Sequence, residues 1–397
     1  MQVLRILTAA ASALLLQPSA SAAPGATPSS SPSSKIAVEL DTNWIAYRTG
    51  NRGTILFPVQ VNGHNLVALL DTAAPATVLD TTLVSRLRLH ETGSGKGDGR
   101  DFSRSAEGLW FETGGRTVGP FRLAISDLAP FSAAARDQID IIFGTDMILG
   151  ALEIDPARQR LRLRHSGAEW PDATSLMLSR TTNGHYHLAR FRINKGAPFT
   201  AILDTGFAGG VSLNAAAAPD VFPKAAAETT VAVQTWTGVQ VSRMMFAPSL
   251  SLSGRTVHAV ELVTEPANAE RRHLQPADGI IGMQVLGQYH MLADLRRGRL
   301  FLRPSGVNPA PGRRSTVGLQ GLLREGAYEV VHVMANSPAE EGGWRNGDKI
   351  CALDGVPASQ LEDHPATRDW RFATAARVLS FRMCDGSTRR LVSAEFY

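Results

Sequence analysis

The most constraining feature of this chain is a short motif that occurs twice. Residues 67–73 read VALLDTA, and residues 200–206 read TAILDTG. Each copy is an apolar run, typical of a buried strand, that ends in aspartate, threonine and a small residue. The repetition predicts two equivalent halves, each of which presents one aspartate, Asp71 or Asp204, from a loop at the end of a strand.

Later landmarks indicate that the duplication extends well beyond this motif, because an internal repeat keeps its landmarks in order. Three further pairs follow in the same order: GRTV at 115–118 and 254–257, DIIFG or DGIIG at 140–144 and 278–282, and RLRLR or RLFLR at 160–164 and 299–303. Gly144 lies 73 residues after Asp71, and Gly282 lies 78 residues after Asp204. Short strand-like runs separated by Gly, Pro, Asn and Asp fill both halves, so the sequence predicts a mainly β chain.

Two carboxyl groups held close together can perform general acid and general base catalysis on one substrate. Like charges at short range cannot both ionise, so such a pair shares one proton over a broad pH range. One carboxylate can then take a proton from water while the other carboxyl donates to the substrate carbonyl. A single Asp-Thr pair is more often a turn or a helix N-cap than a catalytic motif. Its occurrence in duplicate at matched positions favours the catalytic interpretation.

The residues that follow each aspartate fit the same chemistry. Thr72 and Thr205 are expected to hydrogen-bond across the pair and to hold the two loops together, because a hydroxyl both donates and accepts. Ala73 and Gly206 are small, which permits a tight loop and a close approach of the backbone to the carboxyl groups. We therefore take these four residues as the supporting active-site loops.

The segment ALLDTAAPATVLD at residues 68–80 resembles the active-site segment of retroviral-type aspartic proteases, in which an apolar strand enters Asp-Thr-small and a Thr-Val-Leu strand leaves. Residues 201–210 are similar to the same segment in bacterial members. The apolar runs that end at Gly144 and Gly282 resemble the second motif of the family, two apolar residues followed by glycine. The resemblance implies that the two repeated aspartates form a catalytic pair that hydrolyses peptide bonds with activated water, without a metal or another cofactor.

The same resemblance implies a fold of two pseudo-two-fold related acid-protease β lobes in one chain, as in pepsin-like enzymes. We predict lobe 1 at residues 37–170 and lobe 2 at residues 180–304. Polypeptide substrates are expected to bind in a cleft between the lobes, and the protein is expected to be a monomer. Two residues depart from the family pattern. Ala73 stands where Gly is commonest, and Phe207 replaces the usual small residue. They favour the alternative function, a non-catalytic peptide-binding protein that keeps the loops for structure.

A flap is expected to cover the cleft, exclude water and pair with the substrate backbone. It should lie between each aspartate and the GRTV landmark of the same half. Ser105 and Gly108 are the flap candidates in the first half, and Trp236 and Gly238 are those in the second. Trp236 could close over bound side chains, although a plain hairpin with a half-packed Trp explains it equally well. The Gly-rich stretch at residues 93–99 is interpreted as a flexible loop, since it lacks the strand-to-helix context of a phosphate site.

The first 22 residues resemble a secretory signal peptide. Arg5 is their only charged residue, an apolar core follows, and small residues at 20–22 offer a cleavage site. The apolar core is shorter than the ~20 residues of a membrane span. Residues 23–36 are rich in Ser and Pro and are expected to form a disordered linker. These features predict a bacterial exported protein, periplasmic or secreted, with no stable membrane span.

Charge and composition bear on other classes of function. The net charge is +4 with 19% charged residues, and the basic residues are scattered, whereas a nucleic-acid-binding protein needs a clustered basic surface. No His/Cys cluster has the spacing of a zinc site, so neither a metal nor another cofactor is predicted. His185 and His187 flank Tyr186 and are expected to form a surface pair, with a metal site as the alternative.

The C-terminal part is predicted to be a separate α+β module at residues 315–397, after a linker at residues 305–314. A strand at residues 328–333 precedes Ser337-Pro338, which is good helix-capping chemistry, and Gly-Asp and Asp-Gly turns follow. This order resembles a PDZ domain, which binds extended peptides or chain ends by adding a strand to a sheet edge. The candidate peptide-binding residues are Gly318, Leu319, Gly321 and Leu322. The alternative is a stabilising domain without a ligand.

The chain contains two cysteines, Cys351 and Cys384, both within the predicted module. A disulfide between them suits an exported protein, because disulfides persist in oxidising compartments. Two buried free thiols are the alternative.

Overall fold

The computed structural model describes residues 5–6, 41–50, 53–97, 100–182, 184–192, 198–214, 227–235, 238–252, 255–265, 277–307 and 313–397. Apart from strand β1 (Arg5–Ile6), the predicted signal peptide and the linker at residues 23–36 lie outside the described residues. Strands dominate and helices are few and short, which confirms the mainly β fold class. In the part of the chain that the structure describes, no helix is long and apolar enough to cross a membrane.

Lobe 1 is built around an eight-stranded sheet in the order β3-β4-β5-β10-β6-β9-β8-β7. Its elements are β2 (Ile45–Ala46), β3 (Arg48–Thr49), β4 (Ile55–Val61), β5 (His64–Leu70), β6 (Val78–Asp80), α1 (Thr82–Arg86), β7 (Glu91–Gly97), β8 (Arg100–Thr113), β9 (Arg116–Ser126), α2 (Ala129–Ala135), β10 (Ile141–Phe143), β11 (Ala151–Asp155) and β12 (Arg160–Arg164), with 3-10 turns at Thr145–Met147 and Pro156–Arg158. The middle strands are apolar on both faces, so β5 and β10 are buried among the core side chains.

Lobe 2 repeats this arrangement within a fourteen-stranded sheet. Its elements are β13 (Thr174–Arg180), β14 (His187–Arg192), β15 (Pro198–Leu203), β16 (Val211–Asn214), β17 (Glu228–Thr235), β18 (Gly238–Leu252), β19 (Arg255–Glu265), β20 (Gly279–Ile281), α3 (Met283–Leu286), β21 (Tyr289–Asp294) and β22 (Arg299–Pro304). Most of β13 falls in the interval left between the two predicted lobes. It pairs with β14 and β22, so it belongs structurally with lobe 2.

The registers of the two lobes show that the duplication is structural. In lobe 1, β10 runs parallel to β5, with Ile142 opposite Leu69. In lobe 2, β20 runs parallel to β15, with Ile280 opposite Ile202. The strand that leaves each aspartate, β6 or β16, pairs antiparallel with the same neighbour, β10 or β20. Equivalent segments of the sequence therefore form equivalent strands, and each central layer ends at one of the repeated aspartates.

The two lobes are joined by strands that pair directly. β11 of lobe 1 lies antiparallel to β21 of lobe 2, with Ala151 opposite Asp294 and Ile154 opposite Met291. The order β13-β22-β21-β11-β12-β2 therefore forms a layer shared by both halves. One apolar cluster continues through this layer from Leu152 to Leu300.

The C-terminal module, residues 315–397, forms a six-stranded sheet of its own. Its elements are β23 (Leu319–Arg324), β24 (Ala327–Val333), α4 (Pro338–Glu341), β25 (Lys349–Leu353), β26 (Val356–Pro357), β27 (Val378–Met383) and β28 (Thr388–Val392), with 3-10 turns at Ala358–Gln360 and Trp370–Phe372. Ser337 caps α4, since its side chain accepts a hydrogen bond from the backbone of Glu340 and Pro338 occupies the first turn. Cys351 and Cys384 are joined by a disulfide, and no free cysteine exists.

Candidate active site

The backbone of each repeated aspartate is hydrogen-bonded to the strand that runs parallel to the strand before it, β10 for Asp71 and β20 for Asp204. The amide of Asp71 donates a hydrogen bond to the carbonyl of Phe143 over 3.0 Å, and the amide of Asp204 donates to the carbonyl of Ile281 over 3.0 Å. The aspartates thus leave β5 and β15 at equivalent points, and their positions are set by rigid strands instead of by free loops.

The glycine that ends each isoleucine-rich run is required by a close backbone approach. A Cβ at Gly144 would lie 2.7 Å from the carbonyl oxygen of Ala74, and one at Gly282 would lie 2.4 Å from that of Gly209. Real Cβ atoms do not come so near to a backbone oxygen, so any larger residue would push the aspartate loop out of place. The apolar-apolar-Gly pattern of both halves therefore positions the two carboxyl groups.

The two loops are cross-linked by the threonines that follow the aspartates. Thr205 Oγ1 accepts a hydrogen bond from the amide of Thr72 over 3.0 Å and donates to the carbonyl of Leu70 over 2.9 Å. In the reverse direction, Thr72 Oγ1 accepts from the amide of Thr205 over 3.1 Å and donates to the carbonyl of Leu203 over 2.7 Å. These four reciprocal bonds bring Asp71 and Asp204, one residue away on each side, to the same point between the lobes.

Both aspartates are fully buried, with 0% of their surface exposed. Their immediate environments differ. Asp71 Oδ1 accepts from the amide of Ala73, two residues on, over 2.8 Å, whereas Asp204 Oδ1 accepts from the amide of Phe207, three residues on, over 2.9 Å. Phe207 is itself fully buried and its ring packs over Gly209. The departures from symmetry at residues 73 and 207 therefore lie in direct contact with the two carboxyl groups.

A second pair of aspartates braces the central strands, and sequence reasoning did not assign it a role. Asp140 Oδ2 accepts from the amide of Val67 over 2.9 Å, and Asp278 Oδ2 accepts from the amide of Thr200 over 2.8 Å. Each therefore ties the start of the isoleucine-rich run to the middle of the strand that carries the catalytic candidate. The signal was present in the sequence, because both runs begin with Asp.

The flap candidates of the first half lie within a strand. Ser105 is a buried residue of β8 whose hydroxyl contacts Thr92, and Gly108 has a φ of +72°, where β8 is irregular. The pairing of β7 with β8 continues past them to Gly97 opposite Arg100. Most of the Gly-rich stretch is strand β7, so its interpretation as a flexible loop is wrong. It was misread because glycine is uncommon in strand interiors.

One flap candidate of the second half, Gly238, lies where the strands β17 and β18 begin to pair. Gly238 begins β18 and pairs with Thr235. Trp236 lies outside the described residues. The position of Gly238 at a hairpin end is that expected of a flap, and β17 is therefore called the flap strand below.

The C-terminal module is hydrogen-bonded to the flap strand. Thr229 donates to the carbonyl of Ala335 over 2.6 Å, and Thr230 Oγ1 lies 2.8 Å from His332 Nε2. Farther along, Gln320 Oε1 accepts from the amide of Ala232 over 2.8 Å. Two more bonds belong to the same contact, from the amide of Ala335 to the hydroxyl of Thr230 and from the side chain of Asn336 to the carbonyl of Glu228.

The module also contacts lobe 1 and the surroundings of the aspartate loops. Leu322 belongs to an apolar cluster with Phe131 of α2 and with Ala74, three residues after Asp71. Glu362 forms an ion pair with Arg136 at the end of α2. A second cluster, which contains Ala73 and Phe207 of the aspartate loops, extends to two side chains of the module, those of Met334 and Tyr397. The module thus lies against both lobes at once.

The four candidate peptide-binding residues are engaged within the protein. The amide of Gly318 donates to Ser315 Oγ over 2.9 Å, Leu319 is in the core of the module, and Leu322 faces lobe 1. A Cβ at Gly321 would lie 2.3 Å from the carbonyl oxygen of Glu329, so this glycine is needed for the pairing of β23 with β24.

The histidine pair is only partly at the surface. His187 is 8% exposed, so its prediction as a surface residue is wrong, whereas His185 is half-buried. His187 begins β14, which is packed between neighbouring strands, and strand periodicity alone does not reveal that both faces are covered. Among the described residues, no group of three or more His, Cys, Asp or Glu side chains comes together as a metal site.

Comparison with known proteins adds one finding. A family model described as aspartyl protease matches residues 57–147 and, separately, residues 189–285. Both lobes are aspartyl-protease-like. Each matched range contains one of the two cross-linked aspartates, in agreement with the internal repeat, and the family indicates a peptide hydrolase acting on polypeptides. The C-terminal module lies outside both ranges, and no curated protein matches the chain.

Proposed function

We propose that this protein is an aspartic endopeptidase in which Asp71 and Asp204 act as one catalytic pair. The observation that carries the proposal is the reciprocal cross-link of Thr72 and Thr205, which joins two loops that each present a buried carboxyl group. That this occurs within two aspartyl-protease-like lobes supports the same conclusion. The signal-like first 22 residues support export to the periplasm or the medium of a bacterium.

The chemistry needs a single proton shared by the two carboxyl groups. The ionised carboxylate takes a proton from a water molecule, whose oxygen attacks the amide carbon. The protonated partner donates to the carbonyl oxygen, which gives a neutral tetrahedral intermediate. Collapse of the intermediate breaks the carbon–nitrogen bond. The carboxyl group that took the proton from water donates it to the nitrogen, and the other carboxylate takes a proton from a hydroxyl of the intermediate, which restores the shared-proton state.

We further propose that the C-terminal module is a PDZ-like domain that regulates access to this pair. Both aspartates are fully buried, so a substrate reaches them only after the flap strand and the module docked on it move. The module binds the flap strand through Thr230 and Ala232, and it contacts lobe 1 through Leu322. Regulation is favoured over peptide recruitment, because the candidate peptide-binding residues are engaged within the protein.

A second function, non-catalytic peptide binding on the same scaffold, is favoured by one observation. Phe207 is fully buried against the loop of Asp204, where the family usually has a small residue. A bulky ring at this point narrows the space beside the carboxyl group. In that case the cross-linked loops would serve stability alone.

Cleavage of an unfolded protein between about pH 3 and pH 8 separates the two functions. We expect wild-type cleavage and a loss of roughly 10²–10⁴-fold in each of the variants Asp71→Asn and Asp204→Asn. The exposed Asp172 provides a matched control, and Asp172→Asn should cleave normally. Activity that survives either substitution in the pair would rule out the assigned catalytic residues.

A further inference from the structure

A polar cavity of about 380 Å³ lies where the two lobes meet beside the loop of Asp71. Lobe 1 contributes Pro75, four residues after the aspartate, and the turn that begins at Thr145. The amide of Thr145 donates to the carbonyl of Ala74 over 2.8 Å, which ties this wall to the aspartate loop. Lobe 2 contributes the other wall, and the side chains of its two arginines are exposed to solvent; the lining residues are Arg180, Gly184, His185, His187, Leu295 and Arg296.

The charge of the cavity is positive. Arg180 and Arg296 line it, and the acidic side chain in the lining is that of Asp146. Both oxygens of Asp146 are engaged by lobe 1, since Oδ1 accepts from the hydroxyl of Thr77 over 2.7 Å and Oδ2 from its amide over 2.9 Å. One positive charge therefore remains in excess, on arginine side chains whose planar donor groups suit a carboxylate.

A buried histidine also lines the cavity. His187 is 8% exposed, and neither of its ring nitrogens forms a hydrogen bond of normal geometry with a described residue, although the backbone of Leu295 lies nearby. Burial and, to a lesser extent, the charge of Arg180 lower the pKa of His187 to about 4, against the opposing effect of the Leu295 backbone. The ring is thus neutral at neutral pH and offers one N–H donor and one acceptor. A buried donor of this kind is costly unless a bound molecule satisfies it.

We propose that this cavity binds a carboxylate of a polypeptide that lies along the cleft, and that it thereby selects substrates with an acidic residue near the cleaved bond. The proposal rests on the proposed endopeptidase function for its biological meaning. Arg180 and Arg296 supply charge-assisted hydrogen bonds, and the ring of His187 supplies a neutral donor at the cavity wall. Ile148 and Leu295, which also line the cavity, contact the methylene groups of a glutamate.

Binding is tested without turnover, in the full-length Asp71→Asn chain labelled with ¹⁵N in its histidine rings. The probes are N-acetyl-glutamate α-amide and its glutamine analogue, with N-acetylglycine as a model of a chain end. We expect the glutamate probe to shift the ring signals of His187, assigned through His187→Gln, and the glutamine probe to bind at least tenfold more weakly. Arg180→Gln should weaken glutamate binding by a similar factor, whereas the exposed Arg190→Gln on β14 should not.

The outcomes distinguish the sources of the carboxylate. Equal shifts from the glutamate and glutamine probes, or none from either, would overturn the proposal. Tight binding of N-acetylglycine alone would assign the site to chain ends instead of acidic side chains, and equal competition by inorganic phosphate would show a general anion site and overturn the assignment to peptides.

Cleavage assays then separate this inference from the proposed function. Wild-type cleavage of matched Glu and Gln peptides should favour Glu, and cleavage of both at the same rate overturns the selectivity. If the wild type cleaves no peptide while glutamate binding persists, the endopeptidase function fails and the carboxylate site stands.

Discussion

The hydroxyl oxygen of Thr230 in the flap strand lies 2.8 Å from Nε2 of His332 in the C-terminal module. Burial lowers the pKa of His332, while the backbone of Thr230 and the charge of Glu340 oppose the shift. The neutral ring is therefore the preferred form in the docked state. Release of the module into solvent would restore an ordinary pKa of about 6.5.

Acid should weaken the contact between the module and the flap strand. As the pH falls below about 6.5, the undocked state takes up a proton on His332 before the docked state does, so protonation favours undocking. Deuterium exchange of the β17 amides, compared between wild type and His332→Gln at each pH, measures this effect. The glutamine keeps a hydrogen-bonding side chain without titrating, so an identical acid response in the variant would contradict the prediction.

Loss of Gln320 should open the cleft. Its Oε1 accepts from the amide of Ala232 over 2.8 Å, and its side chain is fully buried. Gln320→Ala leaves that amide without its partner, at a cost of about 1–3 kcal/mol. We expect faster exchange in the flap strand and several-fold faster cleavage of an unfolded substrate. Gln360→Ala, at an exposed position of the same module, is the control. Slower cleavage by Gln320→Ala would mean that the docked module assists catalysis.

The threonine cross-link should contribute strongly to stability. Thr205→Val removes the hydroxyl that accepts from Thr72 and donates to Leu70, so one buried N–H and one buried C=O lose a partner. The expected loss is about 2–5 kcal/mol in the free energy of unfolding, measured by denaturant titration. Thr205→Ser keeps the hydroxyl and loses one methyl group, so it should cost only about 1 kcal/mol. Equal losses in the two variants would show that the hydroxyl is unimportant.

His187 should make the folded chain less stable in acid. Its pKa is lowered to about 4 by burial and then by Arg180, whereas its unfolded value is about 6.5. The stability gained by burying the neutral ring of His187 is fully present above about pH 6.5. It is lost as the pH falls towards about 4, because the unfolded state binds the proton first, and the total is about 3 kcal/mol. Denaturant titrations across this range should show a shallower pH dependence for His187→Gln than for wild type, and His64→Gln, at an exposed position, should match wild type.

The disulfide should stabilise the C-terminal module. Cys351 and Cys384 are 33 residues apart, and closing a loop of this length contributes roughly 3–4 kcal/mol on a chain-entropy model. The double variant Cys351→Ser/Cys384→Ser should therefore unfold its module at lower denaturant concentration, as seen by the fluorescence of Trp370 and Trp344 in the module core. An unchanged midpoint would contradict the chain-entropy estimate.

The duplicated architecture could be predicted because its signals are local in sequence. Each half contains an apolar run followed by Asp-Thr, which predicts a strand and the loop after it. The matched glycines at 144 and 282 mark where the backbone passes close to that loop. The reciprocal bonds of Thr72 and Thr205 were expected on the same grounds, since a hydroxyl can donate and accept.

The docking of the module and the burial of His187 could not be predicted in this way. Gln320 and Ala232 are ordinary residues of two separate strands, and only tertiary packing brings them near each other. His187 lies in a strand that is covered on both faces, which the alternation of a single strand does not reveal. The hairpin of β7 and β8 was missed because its glycines outweighed the strand pattern around them.

The pairing of β11 with β21 makes the two lobes depend on each other for a closed sheet. Each strand presents the open edge that the other closes, and an isolated lobe would expose that edge to any matching partner. Because the partners are structurally equivalent, a lobe expressed alone would pair with a second copy of itself. In the intact chain that association is intramolecular, so assembly of the site does not depend on protein concentration. Dilution would dissociate a two-subunit version of this architecture, whereas the two lobes of a single chain stay paired.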